Sequence, residues 1–259
     1  MMLCALAMTT LYGPSLLADG FETGITDQWQ DRRGKIQLVS EDPKEGKQCL
    51  RIDAGIGKGA GGHMVHWFMP GENQIAIRWA VKFAADFDQG NLMHLCAVGG
   101  NRTDNKWSSM GKAGLKPTGS DFFVTNLEPW RDWKRNPPPG RLMFYSYWPD
   151  MKQDRDGHFW GNNLLSEPGL MVPRGKWIEM SLWIRLNTPG NTDGEQAFWM
   201  DGKLGGHFRN MRFRDSEILK LNSLSLDLYI HDNAKPNTVW FDDVEICREP
   251  FSWMRSEVK

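Results

Sequence analysis

Residues 223–231 read SLSLDLYIH, and the alternation in that stretch decides the fold class. Successive side chains of an extended strand point to opposite faces, so Leu224, Leu226, Leu228 and Ile230 make one apolar face. Ser225, Asp227, Tyr229 and His231 make the other. Residues 177–186, WIEMSLWIRL, repeat the pattern. There Ile178, Met180, Leu182, Ile184 and Leu186 share a face, opposite Glu179, Ser181, Trp183 and Arg185. A helix needs apolar residues repeating at i, i+3, i+4 and i+7, and neither stretch keeps that pattern. Strands that bury one side only belong to antiparallel sheets.

Working outward, strand-like runs recur at 37–40, 48–52, 63–68, 74–83, 92–98, 122–127, 141–148, 195–200 and 238–246. Gly, Pro, Asn and Asp cluster between them, as turns require. Asp201-Gly202, followed by Lys203-Leu204, reads as a hairpin turn. No internal repeat or linker interrupts the series. With 259 residues the chain can bury one sizeable core, so residues 19–259 are expected to form one all-β domain of two antiparallel sheets.

Residues 1–18 (MMLCALAMTTLYGPSLLA) carry no charge and end in small residues before Asp19-Gly20, the pattern of a signal peptide. They lack a basic start, so the alternative is an apolar arm packed on the domain. Export predicts a secreted or periplasmic protein. Lys and Arg number 31 against 32 Asp and Glu, which argues against a general nucleic-acid binder. No apolar run long enough for a membrane span follows residue 20. Cys4, Cys49, Cys96 and Cys247 include no CxxC pair, so a zinc site is not expected. Cys49 and Cys247 lie on apparent terminal strands and are either bridged or buried thiols.

The stretch 101–141 holds eight Lys and Arg against four Asp and Glu, with Trp107, Trp130 and Trp133 interleaved. Read as one long loop, it presents cations for carboxylates and aromatic platforms for sugar rings. Arg131, Lys112, Trp130 and Trp133 are therefore substrate-binding candidates, joined by Tyr229 and His231 on the polar face of 223–231. Tyr145 and Tyr147 share one face of a strand, where a phenol can exchange a proton. The six histidines show no metal-ligating spacing, and His158 and His231 sit at loop or strand ends where proton transfer is open to them. Glu22 and Asp243 bracket the first and last strands. Converging there with backbone carbonyls they would hold a structural Ca²⁺; otherwise they serve turns.

Several stretches together resemble the concanavalin A-like jelly-roll polysaccharide lyases that act on alginate and glucuronan. GKWIEMSLWIRLNTPGNTDGEQAFWMDGK (175–203) carries the resemblance most specifically, supported by VKFAADFDQGNLMHLCAVGG, FYSYWPD and VWFDDVEI. The resemblance implies a jelly-roll β-sandwich and β-elimination on a uronate polymer, with no cofactor required for the chemistry. It places the two strand tyrosines on Tyr145 and Tyr147. It puts a lysine where Asn91 stands, and an arginine near 124–126, where there is none. Asn91 or Asn126 would then bind the uronate carboxylate, with Arg131 or Lys112 supplying charge and His158 an auxiliary base. The alternatives are a non-catalytic carbohydrate-binding or adhesion jelly roll, and a glycoside hydrolase using Glu179 and Glu195.

Overall fold

The structure, a computed structural model, describes residues 15–258. In chain order its strands are β1 (Leu17–Asp19), β2 (Gln30–Arg33), β3 (Lys35–Val39), β4 (Cys49–Ala54), β5 (Gly57–Glu72), β6 (Gln74–Phe83), β7 (Met93–Arg102) and β8 (Phe122–Trp130). They continue as β9 (Gly140–Tyr147), β10 (Asn162–Leu164), β11 (Met171–Val172), β12 (Trp177–Arg185), β13 (Gly194–Met200), β14 (Lys203–Met211), β15 (Leu219–Asn233) and β16 (Asn237–Cys247). The back sheet runs β14-β13-β12-β6-β16-β4-β3, with β1 on β16. The front sheet runs β10-β9-β8-β7-β15-β5-β2, with β11 on β9. Every pairing is antiparallel. Among the described residues there is no helix, and so none long and apolar enough to cross a membrane.

The two alternating stretches explain the sandwich. Leu224, Leu226, Leu228 and Ile230 of β15 are fully buried, as are Ile178, Met180, Leu182 and Ile184 of β12, all in one core between the sheets. Each such side chain contributes roughly 1.5–3 kcal/mol by leaving water. The β13–β14 hairpin turns on Asp201 (φ 50°) and Gly202 (φ 72°), both left-handed, as the sequence implies.

Two strands were hidden by glycine. β14 and the first half of β5 read KLGGHFRNM and GKGAGGH, with little β-propensity. Neighbours demand the glycines: a Cβ on Gly61 would lie 1.5 Å from Leu228 O, and one on Gly205 would lie 2.2 Å from the Phe198 ring. The basic stretch also differs from expectation, because β8 crosses its middle and leaves 103–121 as the loop.

The outer faces of the two sheets have different fates. On the back sheet, Trp183 and Trp199 are buried under Phe251, Met254 and Val258, and Trp199 Nε1 donates to Glu257 Oε2 at 2.5 Å. The front sheet keeps its outer face open. Asn187, in the LNTPG run, is fully buried. Its Oδ1 accepts from the Phe213 and Arg214 N–H groups, and its Nδ2 donates to Thr188 O, Asn191 O and Arg214 O.

Residues 1–14 lie outside the described part, with Cys4 among them. Leu17 and Ala18 pair with Ile246 and Glu245, so a cut after Ala18 would remove two of the three residues of β1. Cys49, Cys96 and Cys247 are free and buried. Leu50, next to Cys49, faces Phe241, six residues before Cys247 and so about 20 Å from it along β16. That separation excludes a bridge.

Candidate active site on the open sheet

Strand register builds the site. Tyr147 on β9 faces Val124 on β8, then Gly99 on β7, Ser223 on β15 and Trp67 on β5. The next row is Tyr145, Asn126, Ala97, Ser225 and Val65. All project to the open side, because their neighbours Phe123, Leu127, Val98, Cys96, Leu224 and Leu226 fill the core. Small residues form a low floor, and taller side chains stand at either end.

At the tyrosine end is a pocket of about 220 Å³, whose lining includes His94, Ser109, Lys112, Asn126, Tyr145 and Tyr147. The Tyr145 and Tyr147 hydroxyls are 3.4 Å apart. Burial, reinforced by Tyr147, pushes the Tyr145 phenol far above its ordinary value and keeps it protonated. Asn126 Nδ2 donates to Tyr145 O at 3.3 Å.

His94 is the residue the sequence did not reveal. Its Nδ1 lies 2.8 Å from Oε2 of Glu128, a buried carboxylate. The ring sits 5.5 Å from Tyr145, stacks on Tyr229 at 5.6 Å and meets His231 edge-on at 5.5 Å. Burial disfavours charge on this ring, but the Glu128 carboxylate and Asp227 outweigh it and raise the pKa. Burial likewise pushes Glu128 up, while His94 pulls it back. His231 is lowered, by burial and then by repulsion from His94. An Nδ1–H given to Glu128 leaves Nε2 as the nitrogen that can take a proton.

The expected site residues therefore divide. Tyr145, Tyr147, Asn126 and Lys112 line the pocket, and Tyr229 and His231 pack on His94. Asn91 does not line it, and its amide atoms are buried without a hydrogen-bond partner. His158 is exposed and stacks on Trp160 at 5.7 Å, away from the pocket lining. Arg131 is spent inside the structure: its Nη1 donates to Asp88 Oδ1 at 2.8 Å and Gly90 O at 2.6 Å. Trp130 ends β8 opposite Arg141, and Trp133 is 67% exposed on a left-handed turn beyond it.

The remaining carboxylates are occupied elsewhere. Glu22 accepts from the backbone N–H groups of Lys47 and Gln48, which hold its pKa low. Asp242 accepts from Lys44, Glu45 and Asp243 N–H groups. Among the described residues no three His, Cys, Asp or Glu are grouped to hold a metal ion, and Glu22 and Asp242 serve turns through these backbone N–H groups. Glu195 is held by Arg185 and His207 on the back sheet. It faces Arg185, six residues along β12 from Glu179, so the two carboxylates stand about 20 Å apart and form no hydrolase pair.

No family model and no curated protein sequence matches the chain. Solved structures do. An alginate lyase from Aplysia kurodai superposes with a TM-score of 0.68 at 16% identity, over 86% of this chain and 91% of that one. Alginate lyase vAL-1 from Chlorella virus gives 0.67 at 14% identity, over 86% and 93%. An endo-β-1,4-glucuronan lyase from the fungus Trichoderma reesei gives 0.60 at 15%, over 86% and 92%. Two antiparallel sheets in this order thus make the chain a concanavalin A-like jelly roll, the fold of these polysaccharide lyases.

Proposed function

We propose that the protein is a polysaccharide lyase that cleaves a uronate-containing polymer by β-elimination. The observation that carries this reading is His94, oriented by Glu128 through Nδ1 and lining one pocket with Tyr145, Tyr147, Asn126 and Lys112. The fold shared with alginate and glucuronan lyases supports it.

The roles follow from the chemistry. Lys112 and Asn126 bind the uronate carboxylate, so that charge building there as C5 loses its proton meets placed donors. His94 Nε2 takes the C5 proton, and the C5–H electron pair becomes the C4=C5 double bond. The C4–O4 bond breaks, and the Tyr147 hydroxyl gives its proton to the departing oxygen. Tyr145, held protonated 3.4 Å away, is placed to donate a hydrogen bond to the Tyr147 oxygen as that oxygen gives up its proton. Such a polymer is too large to cross a membrane, so the enzyme meets it outside the cytoplasm, which suits the apolar residues 1–18.

A non-catalytic carbohydrate-binding sheet is the second reading. The observation favouring it is that Asn91 and residues 124–126 supply no cation where the resemblance puts two. A panel of alginate, glucuronan, pectate and hyaluronan, followed by the ultraviolet absorbance of unsaturated uronide ends, separates the two. A rise lost in both His94→Gln and Tyr147→Phe supports the lyase. Saturable binding with no rise on any polymer gives the second reading.

A further inference from the structure

The row that starts at Tyr147 ends four strands away at Trp67, where the chemistry above uses nothing. Trp67 and Trp107 meet edge to face with centroids 5.1 Å apart. Lys106 Nζ lies 5.0 Å from one ring and 4.9 Å from the other. Trp67 Nε1 donates to Asp31 Oδ2 at 2.5 Å, which fixes the plane of that ring. Asp31 Oδ2 makes a long ion pair with Lys106 Nζ at 4.0 Å, beyond hydrogen-bond range. Among the described residues the ammonium thus has no hydrogen-bond acceptor, and Trp107 beside it is 41% exposed.

Lys106 and Lys112 belong to one loop, and the sheet pins that loop between them. Asn101, fully buried near the end of β7, accepts from Ser109 N–H at 3.1 Å and donates to Asn222 Oδ1 at 3.1 Å. Ser108 Oγ accepts from Arg102 N–H at 3.0 Å. The loop therefore sets Lys112 at the tyrosine end of the row and Lys106 at the tryptophan end. Strands spaced about 4.8 Å apart make the row about 19 Å long, the reach of an oligosaccharide rather than one sugar. The floor between stays low, since a Cβ on Gly99 would sit 2.3 Å from Ser223 Oγ.

We propose that Lys106, clamped by Trp67 and Trp107, is a second carboxylate subsite, so that loop 103–121 grips an anionic polysaccharide at two uronates several sugars apart. This rests on the polyuronate reading of the His94 pocket. The rings offer an apolar face to a pyranose, and the ammonium pairs with its carboxylate. Because the rings already hold Lys106 in place, binding costs little side-chain order. A neutral polymer, or a uronate dimer seated at the tyrosine end, gains nothing from it.

The test is retardation of the whole protein in native gels cast with alginate, pectate or glucuronan, with carboxyl-reduced alginate as the neutral control. Lys106→Met and Trp107→Ala are compared with Lys134→Met, which removes an exposed cation elsewhere, and thermal melts confirm that each is folded. Lys106→Met is expected to weaken retention about fivefold at low salt, less at high salt, with no change on the neutral polymer. In turnover it raises KM for the polymer and leaves kcat, and affinity for a uronate dimer, unchanged. Retention equal to wild type overturns the subsite. So does a loss matched by Lys134→Met, which would mean only general charge attraction. A wild type that no polyuronate retards overturns the subsite together with the polymer reading. Retention that depends on Lys106 without unsaturated ends leaves the subsite standing and fails the elimination chemistry alone.

Discussion

Glu128 takes the Nδ1 hydrogen of His94 across 2.8 Å, from a neighbouring strand and a position 34 residues further along the chain. The carboxylate fixes which ring nitrogen is left for chemistry and makes that nitrogen more basic.

A base must be uncharged to act, so turnover should rise with pH through the raised pKa of His94. Glu128→Gln removes a carboxylate that raises it and should move this acid limb to lower pH. His94→Gln should cost about 10²–10⁴-fold in kcat. Initial rates against pH for the three proteins check this, and a limb that stays fixed in Glu128→Gln refutes the assignment. Stability carries the same sign: a raised pKa in the folded state stabilises below the unfolded ring's pKa. That contribution fades as pH climbs past the folded value. The melting-temperature gap between wild type and His94→Gln should therefore narrow toward alkaline pH.

Tyr147→Phe keeps the ring and removes only the proton donor to the leaving oxygen. Its kcat should fall by at least about 10²-fold while KM changes little. Steady-state kinetics on the best polymer decide it, and a loss confined to KM would make Tyr147 a binding residue.

Arg131→Ala should act on stability and not on substrate. Its guanidinium is 12% exposed and paired with Asp88 and Gly90 O. Losing those bonds should cost about 1–3 kcal/mol. Denaturant titration would show the loss with KM unchanged; a raised KM in a protein of normal stability would restore Arg131 to the groove.

Asn187→Ala should destabilise by at least about 2 kcal/mol, because it strands the buried Phe213 and Arg214 N–H groups and removes a donor from three carbonyls. Polymer affinity of the folded fraction should not move. Urea midpoints and gel retardation measure the two separately.

Burial pushes the Cys49 and Cys247 thiols up to about 11. Neither should react with a maleimide at neutral pH until the protein unfolds, and a reducing agent should leave the melting temperature unchanged. Rapid labelling of the native protein would contradict their burial.

Much of the sandwich was legible because a period of two in SLSLDLYIH and WIEMSLWIRL sends one row of apolar side chains into a core between two sheets. β14 escaped because its glycines answer to Phe198 across the strand, and no local pattern records that contact. The tyrosines could be found because both lie on one strand. His94 could not, since HLCAV carries no motif and its partners come from β8 and β15. Arg131 misled because a cation beside tryptophans reads alike whether it faces a ligand or an aspartate of its own chain. The LNTPG run, the most specific part of the resemblance, serves the scaffold: Asn187 ties the β12–β13 turn to residues 213 and 214.

The segment of Phe251, Met254 and Val258 that seals Trp183 and Trp199 also gives the molecule a handle. A tag or tether joined beyond Val258 leaves from the back sheet, on the side away from His94 and Lys106. Protein anchored that way to a bead or sensor surface would hold its front sheet toward the solution, where the proposed polymer could reach it.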